Sequence, residues 1–187
     1  VLTSGLSDHS AEFFRRQKFP QGARVLDVGC GFGDTTLEIA RQVGVSGMAV
    51  GTECAPRFVE MATREAKDAR VENAQFFTAD AQSDDLRGPY DFVFARFGTM
   101  FFNLPGAAMR NLRKNLKPGG GLTMIVWRKR EDNPWVYEAE TCVRKIVPVI
   151  EHDETDAVHC GPGPFSMAGA DMVSDMLRGA GFGRIGF

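Results

Sequence analysis

No stretch of this sequence comes near the roughly 20 consecutive apolar residues that span a bilayer. Its N-terminus, VLTSGLSDHSAEFF, has neither the basic head nor the apolar middle of a secretory signal. These absences exclude a hydrophobic membrane-spanning helix and point to a cytoplasmic chain. Excess positive charge is missing too: 22 Lys and Arg stand against 24 Asp and Glu, a formal net charge of -2. A protein held to a polyanion by bulk charge needs the opposite balance, so no nucleic-acid partner is expected. Cysteine is scarce, and Cys30, Cys54, Cys142 and Cys160 show neither a C-x-x-C pair nor regular spacing. Reduced thiols are expected, and no metal site, because His152, His159 and Cys160 lack zinc-ligand spacing and a fourth ligand. The missing initial Met points to a fragment.

Apolar residues make up 43% and charged residues 25% of the 187 positions. This is the balance of one globular domain, large enough to fold without staples. Short β-branched or aromatic runs alternate with longer stretches of helical period, the pattern of βαβ units. Strands are expected at ARVLDVG, MAVGTE, AQFFTAD, YDFVFARF and GLTMIVW. Helices are expected over residues 7–18, at TTLEIARQV with a T-x-x-E capping box of Thr35 and Glu38, and at APRFVEMATREAKDA. Further helices are expected over 104–117, stopped by KPGGG, over 134–147 and over 169–178, and a short run FGRIGF closes the chain. The expected fold is α/β, a doubly wound, mostly parallel Rossmann-like sheet with helices on both faces. Ligands of such sheets bind outside the carboxyl ends of the strands, where strand order reverses.

Glycine is abundant, 21 residues against a usual share of about 7%, and its placement is informative. After the first strand stands D-V-G-C-G-F-G, with Asp27, Gly29, Cys30, Gly31 and Gly33. Alternate glycines let the backbone turn sharply and approach a ligand, and the next helix presents free N–H groups. A dinucleotide fingerprint needs a further glycine where Asp34 stands, and an aspartate there repels a pyrophosphate. After the second strand, Glu53 has two oxygens that match a vicinal diol; Cys54 beside it offers either an apolar wall or simple packing. After the third strand, Asp80 either accepts from an exocyclic amine or caps the short segment that follows. Three successive strand ends thus offer a glycine loop, a diol acceptor and an amine acceptor, in the order an adenosyl ligand needs.

VLDVGCGFGDTT, the acid in VGTE, TADA and LKPGG resemble the class I S-adenosylmethionine-dependent methyltransferases. More narrowly, YDFVFARFGTMFF, LRKNLKPGGGLTMIVWR, NPW and GPFSMAGADMVSDMLRGAGF resemble the small-molecule branch known as the type-11 methyltransferase domain, over residues 24–182. The resemblance implies S-adenosyl-L-methionine as cofactor. Gly29, Gly31 and Gly33 would hold its methionyl part, with Asp27 and Cys30 also in the cofactor site, Glu53 its ribose, with Cys54 beside the base, and Asp80 and Ala81 would meet the adenine. Arg96 and Phe97 would line the methyl-transfer face; by itself, Arg96 is equally an ion pair at a strand end. Two departures stand out: Glu53 replaces the more usual aspartate, and the family's final strand hairpin is incomplete, since the chain stops in or just after a sixth strand. An unpaired sheet edge makes a homodimer one expected assembly.

The implied layout is an N-terminal helical cap at 1–22, a cofactor-binding core at 23–127, a substrate-cap segment at 128–168, and a C-terminal helix and strand at 169–187. Trp135, Phe165 and Met167 are expected to line the pocket of a small organic acceptor or to be ordinary core. Should the acceptor carry a proton at neutral pH, His9, His152, His159 and Tyr137 are the candidate bases; otherwise each is read as structural or solvated. An N-P-P-Y motif for transfer to amide or exocyclic nitrogen is absent. The expected activity is methyl transfer to a small molecule, with a quinone-ring C-methyltransferase as a narrower variant. A cofactor-binding protein without catalysis is the alternative, and a nicotinamide oxidoreductase a distant third.

Overall fold

A computed structural model of the chain describes residues 2–147 and 162–187, with side chains from residue 8 onward. His152, His159 and Cys160 lie outside the described residues, as does part of the 128–168 segment. The elements run α1 (Leu2–Arg16), β1 (Arg24–Val28), α2 (Asp34–Val43), β2 (Met48–Glu53), α3 (Pro56–Asp68), β3 (Ala74–Thr78), β4 (Tyr90–Arg96), α4 (Pro105–Lys114), β5 (Leu116–Ile125), α5 (Pro134–Arg144) and α6 (Ala170–Gly179). The five strands form one sheet in the order β3-β2-β1-β4-β5, and every pairing is parallel.

Side chains alternate across a strand, so the run RVLDV packs on two layers at once. Val25 and Ala49 face Phe14 of α1 and Ile39, Ala40 and Val43 of α2. Leu26, Val28 and Val50 face Met109 and Leu112 of α4, and Val173 and Leu177 of α6. Helices on both faces let a parallel sheet read as continuous apolar runs. At the α1 end, the rings of Phe13 and Phe14 stand 5.2 and 5.3 Å from that of Phe94. They fasten the helix to the middle of the sheet.

Three expectations are corrected. The capping box does not form: α2 begins at Asp34 with Gly33 as N-cap and no side-chain cap. Instead, the Thr35 hydroxyl turns inward to Asp27, and Glu38 pairs with Arg41 at 3.6 Å. K-P-G-G does not precede β5 but belongs to it. Tyr90 pairs with Leu116 and Phe92 with Gly121, so residues 117–120 bulge from the ladder, with Gly119 at φ 79°. Finally, the closing run FGRIGF forms no strand; Phe182 and Ile185 pack against the core beside α6 instead. No helix among the described residues is long and apolar enough to cross a membrane.

Candidate functional site

The three glycines after β1 have three different surroundings, although all have positive φ. A Cβ on Gly29 would lie 3.0 Å from the Gly98 Cα, and one on Gly33 would lie 2.9 Å from the Phe76 ring. These two glycines serve close packing, of the β1 end on the β4 end and of the loop on β3. Gly31, at φ 53°, has nothing within 4 Å of where a Cβ would stand. It is the glycine of the loop that faces open space. Gly31→Ala is expected to cost about 1–2 kcal/mol of stability, from the left-handed backbone and not from a clash. Urea denaturation with an unchanged m-value checks this.

Asp27 is 1% exposed. Its Oδ2 accepts hydroxyl hydrogen bonds from Thr35 at 2.7 Å and Thr36 at 2.6 Å. Burial pushes its carboxyl up to about 6, against the pull of those two hydroxyls and of the more distant Arg96. The bonds tie β1 to the first turn of α2 and so fix the loop between them. Asp27 Oδ1, Thr52 Oγ1 and Thr99 Oγ1 are buried with no hydrogen-bond partner among the described residues. All three stand at or just past the carboxyl ends of β1, β2 and β4. Orphaned polar atoms are rare in protein interiors and mark places where something polar is to be met.

Glu53 ends β2 half-buried and turns toward the loop. Its Oε2 accepts the Gly31 N–H at 3.3 Å, and Oε1 accepts the Ala55 N–H at 3.2 Å. The exposed Cys54 thiol also donates to Oε1, at 3.2 Å, and this bond raises the pKa of the thiol. The two amide contacts are longer than the 2.7–2.9 Å of a strong charge-assisted bond. The carboxylate is therefore oriented without being saturated. Cys30 is buried, and burial pushes its thiol far up, so it is packing and not a nucleophile.

Asp80 follows β3 closely enough that the Ala79 N–H bonds the Glu53 carbonyl at 3.2 Å. Its Oδ1 accepts from the Gln82 backbone at 2.9 Å and side chain at 3.0 Å, so the carboxylate caps the turn after β3. The Ala81 side chain sits in the core. Thus the structure joins Gly31 to Glu53 directly, sets Asp80 next along the strand ends, and turns the Ala81 side chain inward.

Arg96 ends β4 with a side chain 10% exposed, ion-paired to Asp34 at 2.8 Å. It donates to Ser10 Oγ at 3.0 Å and Asp34 Oδ1 at 2.9 Å, clasping α1 to the start of α2. Phe97, at φ 60°, stacks on Trp127 with ring centroids 4.6 Å apart. His9 meets both rings edge-on, at 5.7 and 5.2 Å. Sequence reasoning passed over Trp127, although it stands just past β5, where the strand-end rule directs attention. The three pocket residues it chose diverge. Met167 is core, Trp135 is 66% exposed, and Phe165 lies beneath the Arg130 guanidinium. Tyr137 is exposed. A groove of about 500 Å³ between residues 83–89 and α4 contains no residue of the glycine loop. Among the described residues, no three His, Cys, Asp or Glu side chains gather as a metal site requires.

The profile of a family described as "Methyltransferase domain" matches residues 25–120. Over 121 residues the chain is 33% identical to a demethylmenaquinone methyltransferase of Lactobacillus johnsonii, a match covering 61% of this chain and 48% of that protein. Over 64 residues it is 44% identical to a 23S rRNA uracil-C(5)-methyltransferase of Acinetobacter baumannii, covering 34% of this chain and 14% of that one. The chain spans about half or less of the length of these relatives. The crystal structure of a SAM dependent methyltransferase from Aquifex aeolicus superposes with a TM-score of 0.66 at 20% identity, covering 91% of this chain and 78% of that chain. At that identity the likeness speaks for the fold.

Proposed function

Since the chain belongs to the methyltransferase domain family, we propose that it transfers a methyl group from S-adenosyl-L-methionine to a small organic acceptor. The observation that carries this is the bond between Gly31 and Glu53, beside the open flank of Gly31. The loop lets a ligand approach the backbone, and the carboxylate next to it still has bonding capacity. The strand-end surroundings fit an adenosyl group: a diol acceptor in Glu53 and an acid in Asp80.

In this assignment Glu53 would hold the ribose hydroxyls, the loop from Gly29 to Gly33 the methionyl part, and Asp80 the adenine side. When bound, the cofactor supplies a methyl group already activated on sulfonium. The work left to the protein is positioning, worth up to about 7–11 kcal/mol when reacting atoms are held in line. The Asp27 bonds to α2 would keep the loop rigid for this, while Arg96 would hold α1 over the strand ends. Residues 23–127 form the cofactor core of this proposal, and residues 1–22 and 128–168 its acceptor side.

The demethylmenaquinone methyltransferase relative favours a narrower variant, transfer to a carbon of a quinone-type ring. The net charge of -2 weighs against an RNA acceptor, despite the short stretch shared with the rRNA methyltransferase. Calorimetric titration with S-adenosylhomocysteine and, separately, NADH tests the proposal. Saturable binding of the former alone is expected; binding of NADH alone overturns it. Binding without turnover of any acceptor would favour a non-catalytic cofactor-binding protein.

A further inference from the structure

We infer that the carboxyl ends of β4 and β5 seat a planar aromatic acceptor bearing an ionisable hydroxyl, which lies against Trp127 and Trp135 and gives its proton to His9. This rests on the transfer function proposed above and specifies its substrate class. Phe97 and Trp127, the former just past β4 and the latter just past β5, are stacked with an interplanar angle of 14°. Trp135 of α5 stands 5.6 Å from Trp127, tilted by 58°. It keeps 66% of its surface exposed, and α5 buries no residue at all. Helix α5 therefore presents a large ring beside the strand ends without itself belonging to the core. Aromatic pairs favour offset or edge-on contact, so another flat ring is the chemistry this wall recognises.

His9 supplies the polar group. Its ring is perpendicular to both Phe97 and Trp127, at 89° and 85°, and it is exposed, so a proton it takes can pass to water. No hydrogen bond among the described residues occupies its ring nitrogens. Its place is held from two sides, by the neighbouring Ser10 bonded to Arg96 and by Phe13 and Phe14 packed on Phe94. Of the charged groups on these elements, Arg96 is paired with Asp34, Arg128 with Asp132, Arg130 with Glu140, and Glu12 with Arg15 and Arg16, whereas Asp8 and Lys129 have no ion pair among the described residues. In the proton step the acceptor's O–H bond breaks and an N–H bond forms on the imidazole. The electron pair remains on oxygen, which enriches that atom and the ring carbons conjugated with it. Imidazole suits this role because a neutral ring carries a nitrogen lone pair that accepts a proton.

The chain has two tryptophans, both in this cluster, so its tryptophan emission, excited selectively over the two tyrosines, reports on this seat. The probe is para-nitrophenol, whose ionised form absorbs in the visible, with para-nitroanisole as the isostere that has no proton to give. N-acetyltryptophanamide in parallel corrects for absorption. Saturable quenching by both compounds is expected. At a pH equal to the phenol's own pKa, the ratio of ionised to neutral bound para-nitrophenol should exceed that in solution about tenfold, as a neighbouring imidazolium favours phenolate. His9→Ala should return the ratio to its solution value and leave para-nitroanisole quenching in place; His9→Gln, closer in size, repeats the test if the alanine variant misfolds. Quenching that never saturates, or equal ionisation in wild type and His9→Gln, would overturn the seat. A parallel S-adenosylhomocysteine titration separates the two ideas: cofactor binding without saturable quenching removes the seat, whereas quenching without cofactor binding removes the transfer function.

Discussion

Replacing Glu53 with alanine is expected to weaken S-adenosylhomocysteine binding by about 1.5–3 kcal/mol, roughly ten- to hundredfold, the usual worth of bonds to a charged group. The carboxylate already points at the loop, and its three contacts, at 3.2–3.3 Å, are to the Gly31 and Ala55 amides and the Cys54 thiol. Little of the ordering cost is left to binding, so the loss on truncation should appear in affinity more than in stability. Glu53→Gln keeps the shape and one acceptor oxygen while removing the charge, and should fall between wild type and Glu53→Ala. Calorimetry on all three gives the ranking, and an unchanged dissociation constant for Glu53→Ala would take this residue out of the site.

Asp27 yields the second large effect, in stability against pH. Its carboxyl ordinarily titrates at 3.8 and is pushed up to about 6 in the fold by burial. Between those values the folded protein keeps a proton that the unfolded chain has released. The contribution of Asp27 is thus fully present below pH 3.8, is lost as pH rises to about 6, and stays level above. The difference corresponds to about 3 kcal/mol, at 1.36 kcal/mol per pKa unit. Asp27→Asn cannot titrate, so the stability difference between it and wild type should change by about that amount between pH 4 and 7. Urea denaturation at four pH values measures it; a constant difference would show that the buried carboxyl titrates at its ordinary value.

The parallel sheet was legible because β1, β2 and β4 are short, mostly apolar runs ending at glycine or polar residues, with longer stretches of helical period between them. The capping box was misread because T-x-x-E describes a cap only where no stronger acceptor competes. The carboxylate of Asp27, eight positions before Thr35, is that acceptor, and spacing within the helix does not reveal it. K-P-G-G read as a stop because proline and glycine break regular ladders, and the bulge at residues 117–120 does break the ladder before pairing resumes at Gly121. At the site, positions immediately following strands were readable one strand at a time. The wall made by His9, Phe97, Trp127 and Trp135 was not, since it draws on α1, two strand ends and α5. No local pattern links those segments.

The first strand of the chain lies in the middle of the sheet, with β2 on one side and β4 on the other. During synthesis it gains its second neighbour only after a long delay: the Arg24 amide finds the Asp91 carboxylate 67 positions downstream. A nascent chain that has emerged as far as residue 68 but not residue 90 holds out an apolar strand with one bare edge, the kind of surface that recruits other nascent chains.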